Sequence, residues 1–342
     1  LTVGLDLSDR DSHYAVVDRS GELVEEQRVR TTSSALQRAF SKQDRMRIVL
    51  EVGTHSPWVS RLLISLGHEV LVANARKLRW IYKSDHKTDR LDARNLARVG
   101  RLDPQLLCPI RHRGEQAQAD LGVLRARDAL VRARVRLVNH VRGAVKAVGG
   151  RLPSCSIPAF VGRTRLHIPE SLQPALVPVL DGIEHLTGQI RQYDHRIEEL
   201  SRERYPETLL LRAVPGVGPL TALCYVLTLE EPHRFARSRS VGPYLGLCSR
   251  QWQSGMQQSQ LRITKAGDAM LRRLLVSAAN YIVGPFGPDT SLRRWGEQLV
   301  ARGGRHAKQQ AVVAVARKLA CLLHSMWVHE RAYDSENVSV AA

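Results

Sequence analysis

This 342-residue sequence predicts an α/β amino-terminal domain, a helical coiled-coil arm and a mostly α carboxy-terminal domain. Three observations carry that prediction. Strand and helix signals alternate at the start of the chain, where short apolar runs are separated by turn clusters. From Gln116 onward the pattern becomes helical and the composition strongly basic. Then Leu176, Val179, Ile183, Leu186, Ile190, Tyr193, Ile197 and Leu200 alternate spacings of three and four, the pattern of a coiled-coil seam.

The amino-terminal elements follow in order. A buried strand is expected over residues 3–8 and a second over 13–18, joined through the turn cluster Arg19-Ser20-Gly21 to a third over 23–29. A helix over 34–41 opens with Ser33 or Ser34 as its cap. Residues 47–52 form a fourth strand, 57–66 a helix and 69–73 a fifth strand. A basic loop with Arg76, Lys77, Arg79 and Lys83 leads into a helix that starts in Lys87-Thr88-Asp89-Arg90-Leu91-Asp92. Three hairpin-linked strands followed by helix-strand-helix-strand-helix is the order of a ribonuclease-H-like domain, assigned to residues 1–115.

The arm, residues 116–205, opens with a helix bearing Arg125, Arg127, Arg132, Arg134, Arg136, Arg142 and Lys146, with Leu124, Val131, Val138 and Val145 seven apart. Residues 149–169 carry Gly, Pro and Ser and read as a linker or hairpin tip before the seam helix. Two such helices give an antiparallel arm that either packs on itself or pairs two protomers. In the last domain, residues 206–342, Pro215-Gly216-Val217-Gly218 resembles the hairpin of a helix-hairpin-helix element. There Gly216 and Gly218 would let the backbone approach a phosphate. A Gln- and Ser-rich loop over 248–265 precedes two amphipathic helices, over 267–283 and 308–330.

Asp6 and Glu51 each end an apolar strand, and Asp89 and Asp92 lie three apart in the first turn of a helix. Hard carboxylate oxygens brought together in this way suit a divalent metal, Mg2+ or Mn2+, and phosphoryl transfer. An isolated Asp-x-x-Asp is common on charged helix faces; its combination with two strand-end acids gives the reading its weight. Asp9, Asp11 and Asp18 fit solvated turns better, and Asp85 and His86 a loop role. Arg76, Lys77, Lys83, Lys87 and Arg90 surround the acids in sequence and would hold an anionic backbone beside them.

The net charge of +18 matches that chemistry, because cations that neutralise phosphates release condensed counterions. Apolar runs fall short of the roughly 20 residues that span a bilayer, and no secretory signal is expected ahead of the first strand. The five cysteines are scattered with no CxxC pair, which argues against a zinc site or a disulfide framework and fits a reducing cytoplasm.

Several of these segments together resemble the Asp-Glu-Asp-Asp (DEDD) transposases of the insertion-sequence "one-ten" family. Gly4-Leu5-Asp6-Leu7-Ser8, Leu50-Glu51 and Lys87-Thr88-Asp89-Arg90-Leu91-Asp92-Ala93 match its RuvC-like domain. Pro215-Gly216-Val217-Gly218, Tyr244-Leu245-Gly246-Leu247 and Arg262-Ile263-Thr264-Lys265-Ala266-Gly267 match its carboxy-terminal transposase domain. The resemblance implies a recombinase guided by a structured noncoding bridge RNA that pairs with donor and target double-stranded DNA. It also implies a composite site in which the four metal-binding carboxylates work with a serine that becomes covalently linked to DNA. Ser254, before Gly255, aligns with that serine; Gln253, Met256 and Leu261 depart from the family's Ser-Ser-Gly-Gly pattern, and Ser249 and Ser259 are secondary candidates. Arg250, Arg262 and Lys265 flank it, either as a phosphate clamp or as a solvated basic loop. A dimer or tetramer in the bacterial nucleoid, with no membrane, completes the expectation. Its rivals are a RuvC-like junction nuclease using water, and an inactive nucleic-acid-binding relic.

Overall fold

The computed structural model describes residues 1–76, 88–254 and 257–336, with the backbone alone at 252–254 and 257–260. The chain forms two compact units, Leu1–Gly114 and Glu115–Ala342.

In the first unit β1 (Thr2–Asp6), β2 (Asp11–Val17), β3 (Leu23–Arg30), β4 (Arg47–Glu51) and β5 (Glu69–Ala73) make a sheet of order β3-β2-β1-β4-β5. β1, β2 and β3 are antiparallel neighbours, while β4 and β5 run parallel to β1. Strand alternation divides the side chains between two layers. Val3, Leu5, Ile48 and Leu50 enter one buried cluster together with Leu36 and Phe40 of α1 (Ser33–Phe40) and Val59 and Leu63 of α2 (Ser56–Ser65). The opposite face is covered by α3 (Asp89–Leu102), whose Leu96 joins Val49 and Ala73. The cap of α1 is Thr32 rather than Ser33 or Ser34: Thr32 is extended and its hydroxyl accepts the Ala35 N–H at 3.3 Å.

Helix α3 lies close on the sheet because the facing residues are small. A Cβ on Gly4 would lie 1.9 Å from the Ala93 carbonyl oxygen and 2.5 Å from the Ala97 nitrogen, and one on Gly100 would lie 2.2 Å from a Val49 methyl. With Ala93 and Ala97 over Gly4, and Gly100 over Thr2 and Val49, the helix runs antiparallel to β1. Its first turn therefore sits toward the ends of β1 and β4 that carry Asp6 and Glu51.

The second unit begins with α4 (Glu115–Ala147) and, after α5 (Phe160–Thr164), α6 (Gln173–Glu203). At 1.5 Å per residue these long helices extend about 50 and about 46 Å. Arg204–Asp120, Arg127–Asp194 and Arg134–Thr187 contacts pair early residues of α4 with late residues of α6, so the two are antiparallel and pack on one another. The expected seam is met in part. Leu176, Ile183, Ile190, Ile197 and Leu200 are buried, but Leu180 and Thr187 take places expected for Val179 and Leu186. A straight helix of 3.6 residues per turn buries a broader stripe than a strict 3.5 repeat. The tip is packed, with Phe160, Val161 and Ile168 closing a cluster over Val138, Val141, Val145, Leu176 and Leu180.

At the other end the pair enters the large core of α7 (Glu207–Leu211), α8 (Pro219–Leu229), α9 (Val241–Tyr244), α10 (Ala269–Val283), α11 (Ser291–Ala301) and α12 (Ala307–His329). Helix α12 is long and apolar enough to cross a membrane by length and composition, contrary to the expectation of short apolar runs. It is apolar on most sides because most of it is buried in this core. The loop expected over 248–265 is instead a hairpin of β6 (Ser249–Ser254) and β7 (Gln257–Ile263). Its polar sequence lacks the apolar alternation by which strands are recognised. All five cysteines are free.

Asp120 anchors the base of the α4–α6 pair. Burial pushes its carboxyl pKa up, but hydrogen bonds from Arg204, Tyr205 and Gln116 outweigh this and hold it below its ordinary 3.8. A depressed carboxylate pKa contributes stability that is present above 3.8 and lost as pH falls through the folded-state value. Asp120→Asn is expected to destabilise the chain by about 1–3 kcal/mol at neutral pH and to flatten the acid limb of a urea-midpoint profile below about pH 4. An unchanged limb would show that another carboxylate governs it.

Candidate functional site

The first candidate site lies at the sheet end that α3 overhangs. Leu5 and Leu50 are register partners, so Asp6 and Glu51 follow one another across neighbouring parallel strands. Since Val3, Leu5, Ile48 and Leu50 belong to the α1–α2 layer, Asp6 and Glu51 fall with Gly4 and Val49 on the α3 side. Thr88 caps α3, accepting the Leu91 N–H at 3.2 Å, which puts Asp89 and Asp92 in its first turn. The helix dipole favours negative charge there. Asp92 is buried, Asp89 is exposed, and Asp6 and Glu51 are half-buried. The fold thus brings all four acids to one end of one face. Among the described residues, no three His, Cys, Asp or Glu side chains meet as a ready metal cage.

Neighbouring groups at this end come from residues that sequence reading passed over. His13 is paired in register with Asp6, and its Nδ1, which has no hydrogen-bond partner, lies 3.7 Å from Asp89. Glu26 receives two 2.8 Å bonds from Arg94, which hold its carboxyl below the usual carboxylate range; Arg90 lies 3.4 Å away. Arg90, expected to face nucleic acid, is thus engaged with Glu26. A signal was available, since Arg90 and Arg94 are one helical turn apart, facing a strand that alternates charged residues. In the loop after Glu51, His55 accepts the Trp58 indole N–H at Nδ1 and lies 3.1 Å from Asp9 through Nε2. Ser56, bonded to His112 at 2.8 Å, is fully buried and holds the Gly53 turn rather than offering a nucleophile. Arg76 is exposed, and Lys77, Lys83 and Lys87 lie outside the described residues.

The second candidate site is the β6–β7 hairpin. Ser254 is the last residue of β6 and pairs with Gln257; Gly255 and Met256 lie outside the described residues. The root of the hairpin is held by the two glycine segments singled out in the sequence. The Thr264 N–H bonds to the Cys248 carbonyl and the Lys265 N–H to the Gly246 carbonyl, with Lys265 itself at a φ of 55°. Arg250 falls where the pairing register shifts, and Arg250, Arg262 and Lys265 are exposed.

The remaining cations and glycines divide between structural contacts and open surface. Arg125 pairs with Asp268 at 3.3 Å and Arg132 with Asp128 at 2.8 Å, while Arg136 is exposed. Arg134 is buried against Thr187, and Arg142 stacks over Phe160. Gly216 is exposed at a φ of 81°, yet a Cβ there would lie 3.0 Å from the Ala278 carbonyl, so its bareness already serves the approach of α10. Gly218 is the exposed residue that precedes α8.

Comparison with known proteins finds transposases along both parts of the chain. A family model described as "Transposase" matches residues 3–149, and one described as "Transposase IS116/IS110/IS902 family" matches residues 208–291. A "Probable family 20 transposase" of Pseudomonas aeruginosa is 28% identical over 97% of this chain and 98% of its own length. The "Transposase for insertion sequence element IS1328" of Yersinia enterocolitica is also 28% identical, over 93% and 94%. The "Transposase for insertion sequence element IS1111A" of Coxiella burnetii is 25% identical over 74% of this chain and 70% of its own length.

Proposed function

Because the chain belongs to the IS110 family of insertion-sequence transposases, we propose that it cuts and rejoins DNA under the guidance of a noncoding bridge RNA. In this reading Asp6, Glu51, Asp89 and Asp92 hold Mg2+ or Mn2+, and Ser254 is the nucleophile. The observation that supports it is the placement of four acidic residues at one end of one sheet face, two by strand alternation and two in the first turn of α3. Their oxygens are the donor type that hard divalent ions prefer. Such an ion, when bound, would neutralise phosphate charge and lower the pKa of an oxygen nucleophile.

The protein's own part in the chemistry is positional. Closing the β6–β7 ladder up to Ser254 presents that residue on paired backbone, with Arg250, Arg262 and Lys265 as the cations of the same hairpin and its root. The Ser254 hydroxyl attacks phosphorus and gives up its proton, one phosphorus–oxygen bond to deoxyribose breaks, and the departing strand end takes up a proton and leaves as a hydroxyl. The phosphoserine ester is then attacked by the hydroxyl of a new strand end, which restores the serine. Donor and target duplexes and the guide RNA supply polyanionic partners for the +18 chain, which works as a dimer or tetramer.

The test is to incubate the protein with RNA from the DNA flanking its own gene, matched donor and target duplexes and Mg2+, then resolve protein–DNA adducts on denaturing gels. An adduct that disappears in both Ser254→Ala and Asp6→Asn supports the assignment. Free cleaved ends that persist in Ser254→Ala would replace it with a nuclease that uses water. Salt-sensitive binding without any cleavage would leave a binding protein.

A further inference from the structure

Resting on that reading, we propose that a basic cleft beside the root of the β6–β7 hairpin receives an unstacked nucleotide of the DNA strand being processed. The cleft has a volume of about 900 Å³, opens to solvent and is lined wholly by residues of the second unit. Pockets of roughly 300–1,000 Å³ accommodate small organic ligands, so one nucleotide fits and a duplex does not.

The lining is sorted by chemistry. Arg239, Arg262, Lys265, Arg317 and Lys318 contribute positive charge, and among the described residues that line the cleft there is no carboxylate. Such a rim selects an anion. The interior is different: Leu247, Ile263, Leu299 and Val313 provide apolar surface, and Trp295 an aromatic face. Lys318 sits over that ring at 4.6 Å, and burial pushes its ammonium pKa down. Gln309 and Gln310 add amides able to pair with the edge of a base. A simple phosphate site would need the cations but neither the aromatic nor the apolar floor. A base with its phosphate uses all three.

Placement favours the processed strand. Ser249, Leu261, Arg262, Ile263 and Lys265 belong both to the cleft wall and to the hairpin or its root. The five steps from Ser249 to Ser254 span about 17 Å along the strand, or about five stacked nucleotides at 3.4 Å each. A strand lying along the hairpin with a phosphate at Ser254 would thus offer the cleft a nucleotide a few positions away. Extruding it costs stacking energy, which base–aromatic contact and the cationic rim offset.

The experiment uses the full chain with the RNA from the DNA flanking its gene, Mg2+ and matched donor and target duplexes, with 5-iododeoxyuridine placed at one position at a time near the element's end. Ultraviolet cross-links are mapped by mass spectrometry, and cleavage is measured on the same preparations. The expected result is one position, within a few nucleotides of the cut, that cross-links to the α11 segment containing Trp295. Trp295→Leu, which keeps apolar bulk, should weaken binding about tenfold with an unchanged salt slope. Arg262→Gln should instead reduce the slope of log K against log salt by about one. Cleavage without any cross-link in the cleft would overturn the pocket and leave the transposase reading intact. Absence of both binding and cleavage would overturn both. A cleft cross-link obtained only with an RNA strand of the same sequence would overturn the assignment to DNA.

Discussion

Gly4→Ala is expected to cost at least about 3 kcal/mol of stability, at the upper end of overpacking effects, and to abolish DNA cleavage. The added Cβ meets backbone, the Ala93 carbonyl at 1.9 Å and the Ala97 nitrogen at 2.5 Å, so no side-chain rotation relieves it. Either β1 or α3 must move by an ångström or more. β1 is held on both sides, antiparallel to β2 and parallel to β4, so α3 is the element that gives way. Its first turn carries Asp89 and Asp92, and lifting it separates them from Asp6 and Glu51. Chemical denaturation read by circular dichroism measures the first effect, and the adduct gel the second. Full activity with unchanged stability would mean that α3 does not need this close seat.

Gly246→Ala and Gly267→Ala should be as damaging, each costing about 3 kcal/mol or more by combining a backbone clash with a left-handed conformation. Gly246 has a φ of 69° and its Cβ would lie 2.2 Å from the Ala266 nitrogen; Gly267 has a φ of 66° and its Cβ would lie 2.2 Å from the Tyr244 carbonyl oxygen. Each glycine makes room for the other's segment. The interlock fixes the root of the hairpin on which Ser254 is carried, so both variants should lose the DNA adduct. Hydrogen exchange offers the check: faster exchange at Thr264 and Lys265, whose N–H groups bond across this root to the Cys248 and Gly246 carbonyls, is the expected signature. Unchanged exchange would place the hairpin's support elsewhere.

The sequence by itself determined the order of elements in the first unit, because short apolar runs, turn clusters and strand-to-helix changes of period are local signals. It also named the four acids, since a strand-ending carboxylate and an Asp pair at the start of a helix are readable in place. The two glycine segments of the carboxy-terminal unit stood out only through their resemblance to the family's motifs, and not as partners. That Gly246 and Gly267 interlock depends on a contact across the hairpin they bracket.

Only the tertiary structure decided which face each acid occupies, through the register of β1 with β4 and the antiparallel seat of α3 over Gly4. It likewise assigned the arm's cations. Arg125, Arg127, Arg132 and Arg134 look alike in a basic helix, yet each meets a partner on α6, at the cap of α10 or on its own helix, while Arg136 is exposed. The polar β6–β7 hairpin escaped the sequence because its Gln- and Ser-rich strands lack the apolar alternation by which strands are recognised. The basic cleft escaped it because Arg239, Arg262, Lys265, Arg317 and Lys318 come from separate segments. Local chemistry determines what each residue can do; long-range packing decides which residues do it together.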